Sequence, residues 1–345
     1  MKVTAFFIVL LFLIYSTNAC TTFFIHHNGK MVFGRNYDWM ADEGMVCTNQ
    51  RGLAKTSMKM PDGNTISWVS RYGSITFNQY GKEFPTGGMN EKGLVVELMW
   101  LDGTIYPQPD QRPSIGVLQW IQYQLDNHAS VEEVIKSDSQ LRITSKGTPL
   151  HYLIADADGR AATIEFLNGK LKVQRGADLP LPVLTNDTYS NSLAGHSSGT
   201  VNGNNSLERF STACNMISQY KNDTAGRSIV DESFEVLNKV EQGNYTKWTI
   251  VYDITEKKIW YKTQRFKQLR SVSFAAFNFS CESSSRHINI NGSEEGDISS
   301  LFKEFSTLIN QKTLENAAMQ SSSQVPLSRQ QIMAIIAYPA TIICK

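Results

Sequence analysis

Cys20 is the first residue to suggest chemistry, because of what precedes it. Lys2, the unbroken apolar run Phe6 to Tyr15, and the small side chains of Thr17 and Ala19 stand in order before it. That order reads as an export signal cleaved after Ala19, and the run is about half as long as a bilayer-spanning helix. A retained anchor and an acylated lipoprotein cysteine are the rival readings. Against the second, Ser16 to Ala19 lack the aliphatic residue expected three positions before a lipidated cysteine. A chain processed after Ala19 begins with cysteine, so nucleophile and α-amine share one residue. A free α-amine titrates at about 7.7–8.0 and a thiol at about 8.5. The amine can therefore take the thiol proton and later hand it to a leaving amine. No histidine is needed, and the six present form no Cys/His/Asn arrangement. Nothing in the pattern calls for a cofactor or a metal, since no two of the five cysteines are spaced as a zinc clamp.

The next candidates lie in Gly34-Arg35-Asn36-Tyr37-Asp38-Trp39. Asn28-Gly29 between two β-rich runs predicts a hairpin, whose return strand brings Arg35 back beside residue 20. There Arg35 would favour the thiolate, and Asp38 would accept a hydrogen bond from the amine or thiol. Taken alone, Arg35 and Asp38 are equally an ion pair in a turn.

These residues need a scaffold. Strands are expected at 22–26, 31–34, 66–70, 94–99, 151–155, 162–167, 171–174, 248–252 and 258–262, with a second tight turn at Asn168-Gly169. Helical periodicity marks 114–126, 131–136, 206–220 and 231–240. Sequential hairpins with few helices predict an α+β fold with mainly antiparallel sheets. Apolar residues at successive positions in 94–99 and 248–252 predict strands covered on both faces, hence more than two layers. Residues 280–300 read as a polar loop or linker. A helix over 301–318 would bury Leu301, Phe305, Leu308 and Ile309, and the apolar segment 332–337 would pack back on the body, swap, or dock a partner. The organisation expected is a removed signal at 1–19, a catalytic domain at 20–280, and a linker with a helical extension at 281–345.

Composition excludes other classes. The chain has 345 residues, of which 41% are hydrophobic and 19% charged, a globular composition. Lys and Arg total 33 against 32 acids. Without a long basic run, that balance argues against a nucleic-acid partner. Export would place the cysteines where disulfides form. With Cys20 set aside, Cys47, Cys214, Cys281 and Cys344 allow three pairings, and free buried thiols are the preferred reading. Six Asn-x-Ser/Thr sequons matter only in a cell that glycosylates its secreted proteins.

In combination the motifs resemble the choloylglycine hydrolase family of N-terminal nucleophile (Ntn) hydrolases, which holds penicillin V acylases and conjugated bile salt hydrolases. Cys20-Thr21 resembles the family's processed start, and Arg35 to Trp39 its arginine and aspartate motif. Gly88-Met89-Asn90-Glu91-Lys92-Gly93-Leu94 resembles the signature before a central strand. Val183-Leu184-Thr185-Asn186, Glu208-Arg209-Phe210 and Lys247-Trp248-Thr249 follow in the family's order. The resemblance covers about residues 20–275. It implies a four-layer αββα sandwich and hydrolysis of a linear amide by Cys20. It also implies an oxyanion hole from the Asn186 side chain and the Trp100 backbone N–H, with Arg209 as a second active-site arginine. Singly, Asn186 reads as a turn residue, Arg209 as a solvated helix residue, and Trp39 and Trp100 as core.

Two departures point toward the Gram-negative penicillin V acylase branch. The stretch between Asn186 and Arg209 is too short for the long hairpin that builds the Gram-positive tetramer, so any homo-oligomer would use another surface, such as 280–345. Trp39 after the aspartate is likewise associated with that branch, and Trp100 stands where the bile-salt and Gram-positive members carry Asn or Tyr. If both indoles line a narrow pocket without polar partners, it suits phenoxyacetyl or fatty-acyl amides, acyl-homoserine lactones among them, better than a hydroxylated steroid. The alternatives are a conjugated bile salt hydrolase, or a non-catalytic exported binding protein or lipoprotein of the same fold. The expected partner is a small-molecule amide, at a periplasmic or secreted location with no stable membrane span.

Overall fold

Strand Thr21–His27 turns at Asn28 and Gly29, both at positive φ (49° and 72°), into Lys30–Asp38. The register pairs Thr22 with Arg35 and Thr21 with Asn36, which returns the arginine motif to the side of Cys20. The computed structural model describes residues 19–201, 203–222 and 226–345. The export signal expected at 1–19 lies, apart from Ala19, outside the described residues.

Two large sheets organise those residues. The first has seven strands in the spatial order Val183–Leu184, Thr21–His27, Lys30–Asp38, Thr246–Asp253, Lys258–Thr263, Arg270–Ser273 and Gly296–Asp297. The second has nine, with Val95–Trp100 and Pro85–Asn90 at its centre. All pairings in both are antiparallel except the short Arg270–Ser273 with Gly296–Asp297 contact.

Side-chain alternation accounts for the layering. Along 94–99, Val95 and Met99 join the core shared with the first sheet, while Leu94, Val96 and Leu98 join a second core with helices Val117–Asn127 and Val131–Lys136. Helices Asn205–Asn222 and Ile229–Lys239 cover the outer face of the first sheet through Phe210, Cys214 and Leu237. Helix, sheet, sheet and helix are therefore stacked as four layers, the α+β αββα sandwich expected. The expectation of strands covered on both faces follows directly from this alternation.

The chain departs from the sequence reading in several places. Strands Met45–Asn49 and Pro85–Asn90 and helix Tyr189–Ser198 carry no apolar period that marks them, and strand Ser74–Asn78 is absent from the expectation although Ile75 and Phe77 alternate with polar residues. Residues 280–300 are not simply a linker. Arg286–Asn289 pairs with Met45–Asn49 and extends the second sheet. The late helix starts only at Thr307, where the Ser306 hydroxyl accepts from Ile309 N–H. Leu301 and Phe305 thus precede it, Leu308 is 76% exposed, and the buried face is Asn310, Thr313, Leu314, Ala317 and Ala318. Cys281 and Cys344 form a disulfide with Cα atoms 5.3 Å apart, against the preference for free thiols; Cys20, Cys47 and Cys214 stay free and buried.

Candidate active site

Cys20 opens the first strand and is buried, with its Sγ 3.8 Å from the backbone carbonyl of Asp38. Its nitrogen, here still joined to Ala19, donates to Asn186 Oδ1 at 2.6 Å. Asn186 Nδ2 in turn donates to the Trp100 carbonyl at 2.9 Å. Asn186 follows the Val183–Leu184 strand, which pairs with the strand bearing Cys20 through Thr22–Leu184. A serine holds its backbone: Ser206 Oγ accepts from Asn186 N–H at 2.9 Å and donates to Thr185 Oγ1.

Asn204 starts the helix that supplies Arg209. Its Oδ1 accepts from the N–H groups of Ser206 and Leu207, capping the first turn. The Arg209 guanidinium, buried despite its charge, donates to the Cys20 carbonyl, to Thr21 Oγ1 at 2.7 Å and to Asn186 Oδ1 at 3.0 Å. Asn205 Oδ1 fixes Arg209 Nε at 2.9 Å. One arginine thus clamps both the first residues of the strand and the asparagine facing them.

Trp100 ends a central strand. Leu101 N–H donates to the Pro149 carbonyl, so by strand alternation the Trp100 N–H points away from that neighbour, to the side where its own carbonyl meets Asn186. The ladder on that side ends at the Gly87–Glu97 pair. The peptide N–H and the Asn186 amide therefore face one region, as an oxyanion hole requires.

With residue 20 still joined to Ala19, its peptide N–H goes to Asn186 and not to Asp38. Asp38 Oδ1 accepts instead from Thr246 Oγ1, and its buried Oδ2 has no partner among the described residues. Burial pushes the Asp38 carboxyl up to about 7, although the Thr246 hydroxyl, Arg209 and Arg35 all pull it down. Arg35 is buried and salt-bridged to Glu97, which also accepts from Tyr252, and it donates to the Thr86 carbonyl at 2.9 Å. Burial raises the Cys20 thiol above its usual range, and the nearby charges of Arg35 and Arg209 oppose that rise. Arg35 thus favours the thiolate as expected, but it does not override desolvation. Gly87 makes room for the ion pair: a Cβ there would stand 1.9 Å from Glu97 Oε2.

Cys20, Asp38, Trp39 and Trp100 line one cavity of about 650 Å³. The indoles of Trp39 and Trp100 lie 5.9 Å apart at 33°, part of the wall and not only core. Tyr80, Phe84, Leu98 and Leu150 continue it. Gln119, Thr144, Lys146 and Thr148 also reach the lining, so the cavity is neither narrow nor without polar partners, contrary to expectation. Among the described residues, no three His, Cys, Asp or Glu side chains gather as metal ligands. No described helix is long and apolar enough to cross a membrane.

Sequence reasoning missed the supports: Thr246 on Asp38, Ser206 on Asn186, and Tyr80, whose hydroxyl accepts from Trp39 Nε1 at 2.8 Å. It also missed His151, whose Nε2 meets the Thr185 carbonyl at 2.8 Å beside Glu165. None stands in a motif, and only the folded chain brings them to the site.

Comparison with known proteins gives the chain's family and fold relatives. A family model described as linear amide C–N hydrolases, choloylglycine hydrolase family, matches residues 20–194. A penicillin V acylase from Pectobacterium atrosepticum is 29% identical over 174 residues, a match covering 44% of this chain and 45% of that enzyme. The chain thus spans less than half the length of that relative. The structure of penicillin V acylase from Agrobacterium tumefaciens superposes with a TM-score of 0.72 at 24% identity, over 83% of this chain and 98% of that one. A mutant conjugated bile acid hydrolase from Clostridium perfringens gives 0.64 at 18% identity, over 83% and 96%. These two likenesses are of fold.

Proposed function

Since this chain belongs to the choloylglycine hydrolase family of linear amide C–N hydrolases, we propose that it is an exported amidase whose nucleophile is the thiol of Cys20, freed at the N-terminus by cleavage after Ala19. The observation that carries this reading is the convergence of the Cys20 nitrogen, Asn186 and the Trp100 peptide at the wall of one cavity. With the α-amine free, its nitrogen stays beside Asn186 Oδ1 and takes the thiol proton. The thiolate attacks the amide carbonyl carbon, and the oxyanion accepts from Asn186 Nδ2–H and Trp100 N–H. As the C–N bond breaks, the ammonium returns its proton to the leaving amine, leaving a thioester on Cys20. Water adds with the amine as base, the acid departs, and the thiol is restored. Arg209 holds the Cys20 carbonyl and Asn186 in register throughout.

For the substrate we infer a penicillin V acylase-like preference for phenoxyacetyl or fatty-acyl amides, supported by the paired indoles and the aliphatic lining. A second reading, conjugated bile salts, draws support from the cavity's volume and its Gln, Thr and Lys groups. Kinetics on penicillin V, a long-chain acyl-homoserine lactone and glycocholate separate them. We expect kcat/KM for one of the first two to exceed that for glycocholate by about tenfold, ~1.4 kcal/mol; glycocholate as clear favourite reverses the order.

The mechanism itself is tested on protein from an exporting cell. Intact mass should correspond to a chain starting at Cys20 with a free amine, and Cys20→Ser should lower turnover by roughly a thousandfold or more with the fold intact, because a hydroxyl is far less acidic than a thiol. An acylated or unprocessed active enzyme, or undiminished activity in Cys20→Ser, refutes it.

A further inference from the structure

We propose that the C-terminal segment 321–338 is a strap forming one wall of the acyl-binding part of the cavity, and that it sets the length of unbranched hydrocarbon chain the enzyme accepts. The proposal rests on the amidase reading above and adds a determinant to it. The family match ends at residue 194, so that match does not include this wall.

Val325, Leu327 and Ile335 line the same cavity as Cys20, Trp39 and Trp100. They sit there because the strap is fastened on both sides. Before it, Asn316 Nδ2 donates to Glu43 Oε2 at 2.6 Å. At its start, the Tyr80 hydroxyl donates to Ser321 Oγ at 2.8 Å while accepting from the Trp39 indole. The strap therefore begins one hydrogen-bonded residue away from the aromatic wall. Beyond its end, Ile343–Cys344 pairs with Leu53–Ala54, and the Cys281–Cys344 disulfide ties the C-terminus beside Gly52. Tyr338 meets Phe84 edge-on at 5.4 Å, and Ile335 packs over Gly81.

The chemistry of the strap's inner side follows from its helix start. Ser328 caps Arg329–Ala337 in a reciprocal capping box, so the Gln331 side chain is bound to the Ser328 N–H. That bond engages the Gln331 amide oxygen, and although the amides of Gln330 and Gln331 also reach the lining, the strap's aliphatic contribution is Val325, Leu327 and Ile335, which gives a hydrocarbon terminus an apolar wall to pack on. Val325 and Leu327 are only half-buried, so trimming or enlarging Leu327 alters the cavity more than the core.

The test uses the full-length processed enzyme with Leu327→Ala and Leu327→Trp. Two series are measured for each: kcat/KM on saturated N-acyl amides of one common amine from butanoyl to tetradecanoyl, and calorimetric binding of the corresponding free carboxylates. Leu327→Ala should move both optima to chains two or three methylenes longer, with about fourfold gain for each methylene newly buried. Leu327→Trp should move them shorter, and the butanoyl amide should stay within about twofold in both. An unchanged optimum in both variants, with turnover intact, overturns the strap. Absence of turnover on every amide by wild-type enzyme counts against the amidase reading alone; the carboxylate series then still decides the strap, by whether its optimum moves with residue 327. If Leu327→Trp does not fold, Leu327→Ala decides alone: a longer optimum supports the strap and an unchanged one overturns it.

Discussion

Two of the clusters of buried charge among the described residues are finished differently. In one, Lys55 Nζ bonds Glu83 and Asp126, and Lys82 Nζ bonds Glu83 and Asn49. Trp68 and Gln122 supply the remaining donors to Asp126. Every charged atom there has a partner, opposite charges balance, and none of these residues lines the cavity. The other cluster is Cys20, Asp38, Arg35, Glu97, Asn186 and Arg209. In it Asp38 Oδ2 and Arg35 Nε and Nη2 have no hydrogen-bond partner among the described residues, and the cavity begins at Cys20 and Asp38. Burial of charge does not mark a site, since both clusters have it. Unpartnered charge beside a void does, because charges that are all paired have nothing left to offer a substrate.

The comparison is most severely tested by breaking the finished cluster. Lys55→Met removes the cation shared by Glu83 and Asp126 and should destabilise the fold by about 3–5 kcal/mol, read as a lowered urea midpoint. Activity per folded molecule should hold. A variant that unfolds no earlier, or that loses turnover while folded, would erase the distinction between the clusters.

In the open cluster the expected loss is kinetic. Asn186→Ala deletes one donor of the oxyanion hole, which typically costs about 2.7–4 kcal/mol of transition-state stabilisation, or 10²–10³ in kcat. Its urea midpoint should move less than that of Lys55→Met. A fall in stability that matches the fall in rate would make Asn186 a structural residue.

How far these clusters could be read from sequence differs in the same way. The Asn28-Gly29 hairpin placed Arg35 beside residue 20, because turn chemistry and strand period are local. The central strand over 94–99 was equally legible from its apolar residues at successive positions. Of the strands beside it, Met45–Asn49 and Pro85–Asn90 were not, because they bury polar or small residues such as Asn49 and Gly87 that bond neighbours or give room to Glu97. Apolar alternation does not reveal such strands, whereas Ile75 and Phe77 do alternate in Ser74–Asn78. The late helix misled for a related reason: Leu308 and Ile309 suggested the core face, but the Ser306 cap sets a frame that buries Asn310, Leu314 and Ala317. The strap was invisible as a wall because its fasteners act over more than two hundred residues of sequence.

Glu83 of the finished cluster and Asp38 of the open one should also separate by pH, although burial raises the finished cluster's Asp126 as it does Asp38. Neighbouring lysines hold the Glu83 carboxyl down to about 2 against the opposing effect of burial. Its folded value lies below the unfolded one of about 4.3, so its contribution is present above that value and lost as pH falls toward 2. Burial raises Asp38 to about 7, so the folded state binds the extra proton between about 4 and 7. Its contribution is present below that window and lost as pH rises through it. Urea midpoints measured across pH should therefore show opposing slopes on the two sides of pH 4. Asp38→Asn should flatten the upper slope, and Glu83→Gln the lower. An upper slope unchanged in Asp38→Asn would assign it to another group.

The smallest effect belongs where the open site meets the strap. The Tyr80 hydroxyl accepts from Trp39 Nε1 and donates to Ser321 Oγ, which itself donates to the Ala317 carbonyl. Tyr80→Phe keeps the ring and removes only this link. A net hydrogen bond is worth about 0.5–1.5 kcal/mol, and the Trp39 N–H left without an acceptor keeps the loss from being smaller. The thiol, the oxyanion donors and Arg209 are untouched. The change should therefore appear mainly as a KM increase of about three- to tenfold for apolar acyl amides, with kcat within about twofold and only a slight fall in the urea midpoint. A drop in kcat at constant KM would instead mean that the Trp39 ring positions the reacting groups, which would draw Tyr80 and Ser321 into the open cluster itself.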